Sequence, residues 1–119
     1  MQQIPKKLEQ QLMQFQQLQK QAQTFAQQRL QFEIQLKETE KALGELEKIG
    51  VDAEIYKSVG AFLIKAKKEP VKKELEEKKE TLEVRVKTFK SQEGKYTEKL
   101  KTMKTEIESQ LTGFTPTAG

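Results

Sequence analysis

The stretch that decides the fold is EIYKSVGAFLIKA, Glu54 to Ala66, near the middle of a chain of 119 residues. Its first half alternates apolar and polar residues, which is the period of a β-strand, and places Ala53, Ile55 and Val59 on one face. Gly60 follows as a turn residue that tolerates a positive φ. The stretch therefore predicts a single β-hairpin over about residues 53–66.

The second strand of this hairpin is apolar on both faces, with Phe62 and Ile64 on one side and Leu63 on the other. A lone two-stranded hairpin is marginally stable in water, and both of its edges present unpaired backbone groups. If it merely capped a pair of helices, only one face would be covered. We therefore favour pairing with the same element of other subunits, in a sheet or barrel, over capping alone. The expected assembly residues are Ile55, Tyr56, Val59, Gly60, Phe62, Leu63 and Ile64.

Both flanks of the hairpin carry the heptad pattern of a coiled coil. Alternating steps of four and three residues from Ile4 to Leu46 meet apolar residues at ten of thirteen positions. The same steps from Leu75 to Phe114 meet apolar residues at nine of twelve. Apolar residues at this spacing form a seam along one side of a helix, which pairs with the seam of a second helix.

Two helices of matching length that are joined by about twenty residues predict that the second folds back along the first. The expected fold is mainly α, an antiparallel two-helix coiled-coil hairpin joined by one central β-hairpin that oligomerises into a β-barrel body. We predict one domain over residues 1–119, with helices over about 3–49 and 70–112 and a flexible tail over 113–119. Pro70 suits the first turn of the second helix, and Gly113 and Pro116 are expected to end it.

Composition argues against several classes of protein. The chain has no His and no Cys, so the common nucleophile–base pairs and metal sites have no candidates, and we expect no enzyme, no metal and no cofactor. No apolar run approaches the ~18 residues of a membrane span, and no signal peptide is recognisable. Interleaved charges with a net charge of +4 argue against nucleic-acid binding, which only the isoelectric point of 9.2 suggests. A cytoplasmic location is expected.

Essentially the whole chain resembles the beta class of archaeal prefoldin subunits, and three segments carry the resemblance. These are IPKKLEQQLMQFQQLQKQAQ (Ile4 to Gln23), DAEIYKSVGAFLIKA (Asp52 to Ala66) and KKELEEKKETLEVRVKT (Lys72 to Thr88). The resemblance implies a hexamer of two alpha and four beta subunits with a double β-barrel body and six coiled-coil tentacles. It further implies an ATP-independent chaperone that holds unfolded proteins at the tentacle tips and passes them to a group II chaperonin.

The free end of such a coiled coil is the expected client-binding site. Its candidate residues are Ile4, Leu8, Leu12, Met13, Phe15, Ile107, Leu111 and Phe114. Several of these also occupy seam positions, so zipping the two helices together is the alternative role for Leu8, Phe15 and Ile107. The competing function is that of a structural spacer or filament built from the same helices.

Glutamine dominates the first helix, with 14 Gln in residues 1–35. A nearly uncharged face of this kind suits hydrogen bonding to an exposed polypeptide backbone without sequence preference. Alternatively, Gln serves only as a good helix former on a solvated face. Gly94 stands inside the second helix, where glycine costs about 1 kcal/mol relative to alanine and would permit a bend.

Overall fold

The computed structural model describes residues 4–114, with the side chain of Phe114 and residues 1–3 and 115–119 outside the described part. Helix α1 spans Lys6–Glu47, strand β1 Ile55–Val59, strand β2 Phe62–Ala66 and helix α2 Lys68–Phe114. The predicted fold class, two long helices joined by one antiparallel β-hairpin, is confirmed. No helix among residues 4–114 combines the length and apolar character needed to cross a membrane.

Helix α1 begins immediately after Pro5, whose carbonyl accepts the first helical hydrogen bond from the Glu9 N–H at 3.0 Å. At its other end the chain tightens, because the N–H groups of Lys48 and Ile49 donate to carbonyls only three residues back. Such i→i−3 bonds are typical of a helix end. The helix is therefore a few residues shorter at both ends than the predicted range of 3–49.

Helix α2 begins at Lys68, two residues before the predicted start, and Pro70 lies in its first turn. The position suits proline because N–H groups in the first turn have no helical partner. The predicted end at Gly113 differs from the structure, in which α2 continues to Phe114. One glycine lowers helix propensity without breaking the hydrogen-bond ladder, so it does not by itself end a helix. Pro116, the other expected stop, lies outside the described residues.

The two strands pair in antiparallel register, with Val59 opposite Phe62 and Ile55 opposite Ala66. Gly60 has a φ of 59°, so the two-residue turn uses the conformation that glycine adopts without strain. Because residues directly opposite each other share a face, this register defines two faces. Face A carries Ile55, Lys57, Val59, Phe62, Ile64 and Ala66, and face B carries Tyr56, Ser58, Leu63 and Lys65.

The chain divides into two compact units. The terminal unit consists of Met1–Gln28 and Phe89–Gly119, of which the structure describes residues 4–28 and 89–114. The central unit is Arg29–Thr88. In the terminal unit the core is the seam between α1 and α2. Leu8 and Ile107 are buried there. The Phe25 ring lies 5.5 Å from that of Phe89 and 5.2 Å from that of Tyr96, centroid to centroid. Aromatic contacts of this kind add to the hydrophobic stabilisation of the seam.

The seam of the central unit is closed by Leu46 and Leu82, both buried. Thr39 is also buried in it, and its hydroxyl donates to the Gln35 carbonyl at 2.8 Å, which satisfies the only polar group of its side chain. The Arg85 guanidinium lies 5.6 Å from the centre of the Phe32 ring, a cation–π distance.

Candidate assembly and client-binding surfaces

An ion pair within the central unit joins the hairpin to α2. The Lys57 ammonium donates to both carboxylate oxygens of Glu74, at 2.9 and 2.8 Å. A second pair, Lys65 to Glu54 at 3.3 Å, joins residues within the hairpin region and is more exposed. Only the first pair therefore links the sheet to a helix, and it limits how the hairpin can turn on α2.

Two further contacts hold the helix ends together beneath the hairpin. The Lys68 ammonium donates to the Ile49 carbonyl at 2.9 Å and so satisfies a group left over at the end of α1. Lys72 pairs with Glu47 at 2.8 Å. The hydrogen bond and charge of Lys72 lower the pKa of the Glu47 carboxyl, and the same hydrogen bond and the Glu47 charge raise the pKa of Lys72.

A pocket of about 500 Å³ lies where β1 meets the two helices of the central unit. Ile55 is half-buried against it, and Leu46, Ile49, Val71 and Leu75 supply apolar lining. The helices therefore cover only the start of the hairpin, in the region of Ile55.

The rest of the predicted assembly surface is exposed within this single chain. The exposed fractions reach 74% for Phe62 and Leu63 and 59% for Tyr56, with Ile64 at 50% and Val59 at 43%. Both faces of the hairpin contribute, because Phe62 and Leu63 belong to opposite faces. Soluble proteins rarely leave a contiguous apolar patch of this kind uncovered unless another molecule covers it.

The predicted client residues fall into two groups in the terminal unit. Leu8 and Ile107 are buried, and Leu12 and Phe15 are half-buried. Met13 is 65% exposed, Ile4 42% and Leu111 40%. Phe114 ends α2, but its side chain lies outside the described part. The structure thus brings the predicted residues to one end of the unit and leaves three of them accessible. We call residues 4–15 with 107–114 the client end.

A family profile described as "Prefoldin subunit" matches residues 9–114. The chain belongs to the prefoldin family. It is 43% identical over 116 residues to the prefoldin subunit beta of Archaeoglobus fulgidus, a match that covers 98% of this chain and 97% of the relative. It is 43% identical to the prefoldin subunit beta of Pyrococcus furiosus over the full length of both chains.

A solved structure agrees with these sequence matches. The crystal structure of the prefoldin beta subunit from Thermococcus strain KS-1 superposes with a TM-score of 0.84 at 41% identity, covering 93% of this chain and 97% of the other. Prefoldins are chaperones, so this chain is a chaperone subunit that assembles with other prefoldin subunits. The resemblance stated from the sequence is confirmed.

Two features of this prefoldin subunit were not foreseen from its sequence. The Lys57–Glu74 pair joins residues 17 positions apart in different elements, and nothing in their local spacing indicates it. The second is a groove beside the seam of the terminal unit, whose volume is about 930 Å³. The excess of Gln in the first helix was the only signal for this groove, since Gln14, Gln17 and Gln21 line it.

Proposed function

We propose that this chain is the beta-class subunit of an ATP-independent holdase, built as a hexamer of two alpha and four beta subunits. The hairpins close into a double β-barrel body, and unfolded proteins bind at the client ends. The complex works in the cytoplasm without a cofactor and passes its clients to a group II chaperonin. The observation that carries this proposal is the 74% exposure of both Phe62 and Leu63, on a hairpin that residues 4–114 cover only near Ile55.

Pairing between subunits would solve two physical problems of the hairpin together. It would bury the apolar side chains of faces A and B, and it would satisfy the outward backbone groups at the two edges of this two-stranded sheet. Closure into a barrel removes the edges altogether. A hairpin that remained alone would leave its apolar side chains in water and its edge backbone groups without partners in the sheet.

Client binding at the terminal unit is supported by the exposed side chains of Ile4, Met13 and Leu111. Each offers a small apolar contact, and the flexible thioether of Met13 adapts to partners without fixed shape. One such end would bind weakly. Several ends carried on one assembly raise the effective concentration of the second contact and convert weak sites into useful avidity.

The test replaces two exposed residues of the client end, Met13→Ser with Leu111→Ser, in the assembled complex. The matched control is Leu30→Ser with Ile34→Ser, which removes two apolar side chains that are 52% and 50% exposed on α1 of the central unit. We expect the first variant to lose most suppression of aggregation of a denatured test protein, and the control to retain it. Native mass should be unchanged in both.

The assignment of the client end is wrong if both variants suppress aggregation like the unaltered complex. A structural spacer or filament is the competing function, and native mass separates it from the holdase. Polymers whose length grows with protein concentration, together with no effect on aggregation, would favour the filament over the closed hexamer.

A further inference from the structure

The pocket where β1 meets α1 and α2, which we call the socket, offers apolar surface that residues 4–114 leave only partly covered. Its volume of about 500 Å³ lies within the roughly 300–1,000 Å³ that is common for binding clefts. Among the aliphatic residues that line it, Leu46 is buried, whereas Ile49, Ile55, Val71 and Leu75 are half-buried. A further apolar group in the socket would remove more of their surface from water, which is favourable.

Strand β1 borders the socket, and one of its edges is open. Within residues 4–114 the sheet has two strands, so β1 pairs with β2 along one edge only. Ile55 and Lys57 both line the socket, and both belong to face A. A strand added at the open edge of β1 would place alternate side chains on face A, beside these two residues. The socket is therefore positioned to receive side chains from an added strand.

Strand β2 of a second copy of this chain has the side chains that such a site requires. Its face-A residues Phe62 and Ile64 are 74% and 50% exposed, and neither lines the socket of its own chain. Phe62 lies opposite Val59, four residues from Ile55, which is about 13 Å at roughly 3.3 Å per residue. Complementary surfaces that do not meet within one chain favour a head-to-tail contact between copies, and such contacts form a ring when the rotation between copies closes.

A site at this position would also determine the register of the added strand. A slip of one residue moves every side chain of a strand to the other face, and the hydrophobic pattern normally opposes it. In β2 that pattern is weak, because Leu63 on face B is apolar and as exposed as Phe62 on face A. The socket lies beside Ile55 and Lys57, at one position along β1. It can therefore select one register where the strand pattern alone allows two.

We propose that the socket receives the face-A residues of β2, Phe62 or Ile64, from a second copy of this chain and so fixes the register in which two hairpins pair. This rests on the proposed closure of the hairpins into a barrel and adds which edge meets which. Four of the six subunits in the proposed hexamer are copies of this chain, so neighbouring copies are available. The Lys57–Glu74 pair supports the site, because both residues line the socket and hold β1 beside α2.

The first experiment uses the absence of Cys from this chain. Two differently tagged copies are assembled with their partner subunits. One carries Ala42→Cys, at an exposed residue that lines the socket, and the other carries Phe62→Cys or Ile64→Cys. The matched control is Leu63→Cys, which replaces a residue as exposed as Phe62 but on face B. A short bis-maleimide should join Ala42→Cys to one of the face-A positions in high yield and to the control in low yield.

The second experiment fills the socket from within by Val71→Trp. Its matched control is Val84→Trp, on the same helix at a site that is 61% exposed and does not line the socket. We expect Val71→Trp to raise the subunit concentration of half-dissociation about tenfold, as when one apolar side chain is no longer buried. The control should change it less than about twofold. Circular dichroism checks folding, and Ala42→Phe fills the socket from α1 if Val71→Trp does not fold.

The outcomes separate this proposal from the proposed function. If native mass shows no closed assembly of the unaltered chain with its partner subunits, the proposed function fails and the socket assignment fails with it. If the assembly forms but Ala42→Cys cross-links to neither face-A position, hairpin assembly stands and the socket assignment is overturned. Equal cross-linking to Leu63→Cys would overturn the role in register. Equal dissociation of Val71→Trp and Val84→Trp would overturn the contribution of the socket to assembly.

A photo-crosslinking amino acid at Ala42 identifies the occupant directly. We expect it to capture a peptide of β2 from a second copy, identified by mass spectrometry of the assembled complex. Capture of a different prefoldin subunit or of an unfolded client, without a second copy, would assign the socket to that molecule and overturn the proposal.

Discussion

The helical seam and the β-hairpin are built from the same apolar residue types, yet only the seam shelters them within one chain. Among the described seam positions, Ile4 alone is exposed, and Leu8, Leu46, Leu82 and Ile107 are buried. In the hairpin, five of the seven predicted assembly residues are exposed large hydrophobics. The seam succeeds because each helix supplies the other with a facing apolar stripe, whereas the described residues cover the hairpin only at its start, near Ile55.

This difference indicates which parts of the protein are complete as a single chain. In the helical pair, backbone groups form hydrogen bonds within each helix, and the apolar side chains of one helix are buried against those of the other. The hairpin satisfies only one edge of each strand and, near Ile55, only part of one face. Its remaining surface has the composition of a core, and the family to which the chain belongs assembles from several subunits. If the two regions are separable in this way, changes in the hairpin should act on assembly and changes in the seam on the stability of the helical pair.

The largest effect, on assembly, is expected from the double variant Phe62→Ser with Leu63→Ser, which changes one residue on each face of the hairpin. Removing both exposed apolar side chains should abolish assembly with the partner subunits, because subunit contacts of this type depend on apolar burial. Native mass should fall to that of dissociated subunits, while circular dichroism retains the helical signal. Val84→Ser, at a site 61% exposed on α2, is the control and should assemble normally. An intact assembly in the double variant would contradict the role given to the hairpin in this comparison.

A smaller effect is expected when the seam is changed by Leu82→Ala. Leu82 is 5% exposed, so this truncation leaves a cavity and should lower the free energy of unfolding by about 2–4 kcal/mol. The control is Val84→Ala at a neighbouring exposed site, which should change the free energy of unfolding by less than about 0.5 kcal/mol. Urea unfolding of each assembled variant measures both values. Equal destabilisation of the two sites would show that the seam is not the core of the central unit.

The Lys57–Glu74 pair should have a still smaller effect on stability but a selective effect on assembly. Glu74→Gln removes the charge that holds the hairpin on α2, and a partly exposed pair of this kind contributes about 0.5 kcal/mol. We expect the assembly of this variant with its partner subunits to dissociate at higher subunit concentration than the unaltered assembly, measured by native mass on dilution. The control, Glu54→Gln, breaks the pair within the hairpin region and should dissociate at the normal concentration.

The smallest expected effect is that of the Glu47–Lys72 pair on how the free energy of unfolding depends on pH. The pKa of Glu47 is lowered from 4.5 by its hydrogen bond from Lys72, so its contribution is fully present above pH 4.5 and is lost as the pH falls through the lowered value. The raised pKa of Lys72 acts at the other extreme, with its contribution present below pH 10.5 and lost as the pH rises through the raised value. Urea unfolding from pH 7 to pH 2 should show a weaker acid dependence for Glu47→Gln. High salt should reduce the difference, because the pair is exposed. An unchanged acid dependence would contradict a role for the pair.

Periodicity predicted most of the fold, because heptad spacing and strand alternation are local properties that can be recognised in one segment without knowing what it packs against. The turn at Gly60 was also predictable, since its positive φ suits glycine. Helix ends were less accurate. Gly113 indicated a stop that the hydrogen bonds of α2 override, and α1 ends early as its last turn tightens.

The candidate surfaces were predictable as regions but not residue by residue. Leu8 and Met13 have similar apolar character in the sequence, yet one is 1% exposed and the other 65%. Their difference follows from heptad position relative to α2, which determines whether a partner side chain faces them. The sequence pattern raised the zipping role for Leu8 as an alternative, and burial is what distinguishes it from Met13. The client and assembly roles themselves stay predictions for the experiments above.

By itself, the sequence determined that two amphipathic helices flank one hairpin whose strands carry apolar residues on both faces. Those properties depend on neighbours within a few residues along the chain. Only the tertiary structure decided that Leu8 and Ile107 are sheltered while Phe62 and Leu63 are not, and that Lys57 meets Glu74. Burial and ion pairing depend on atoms that folding brings together from distant positions, and no local pattern specifies those distances.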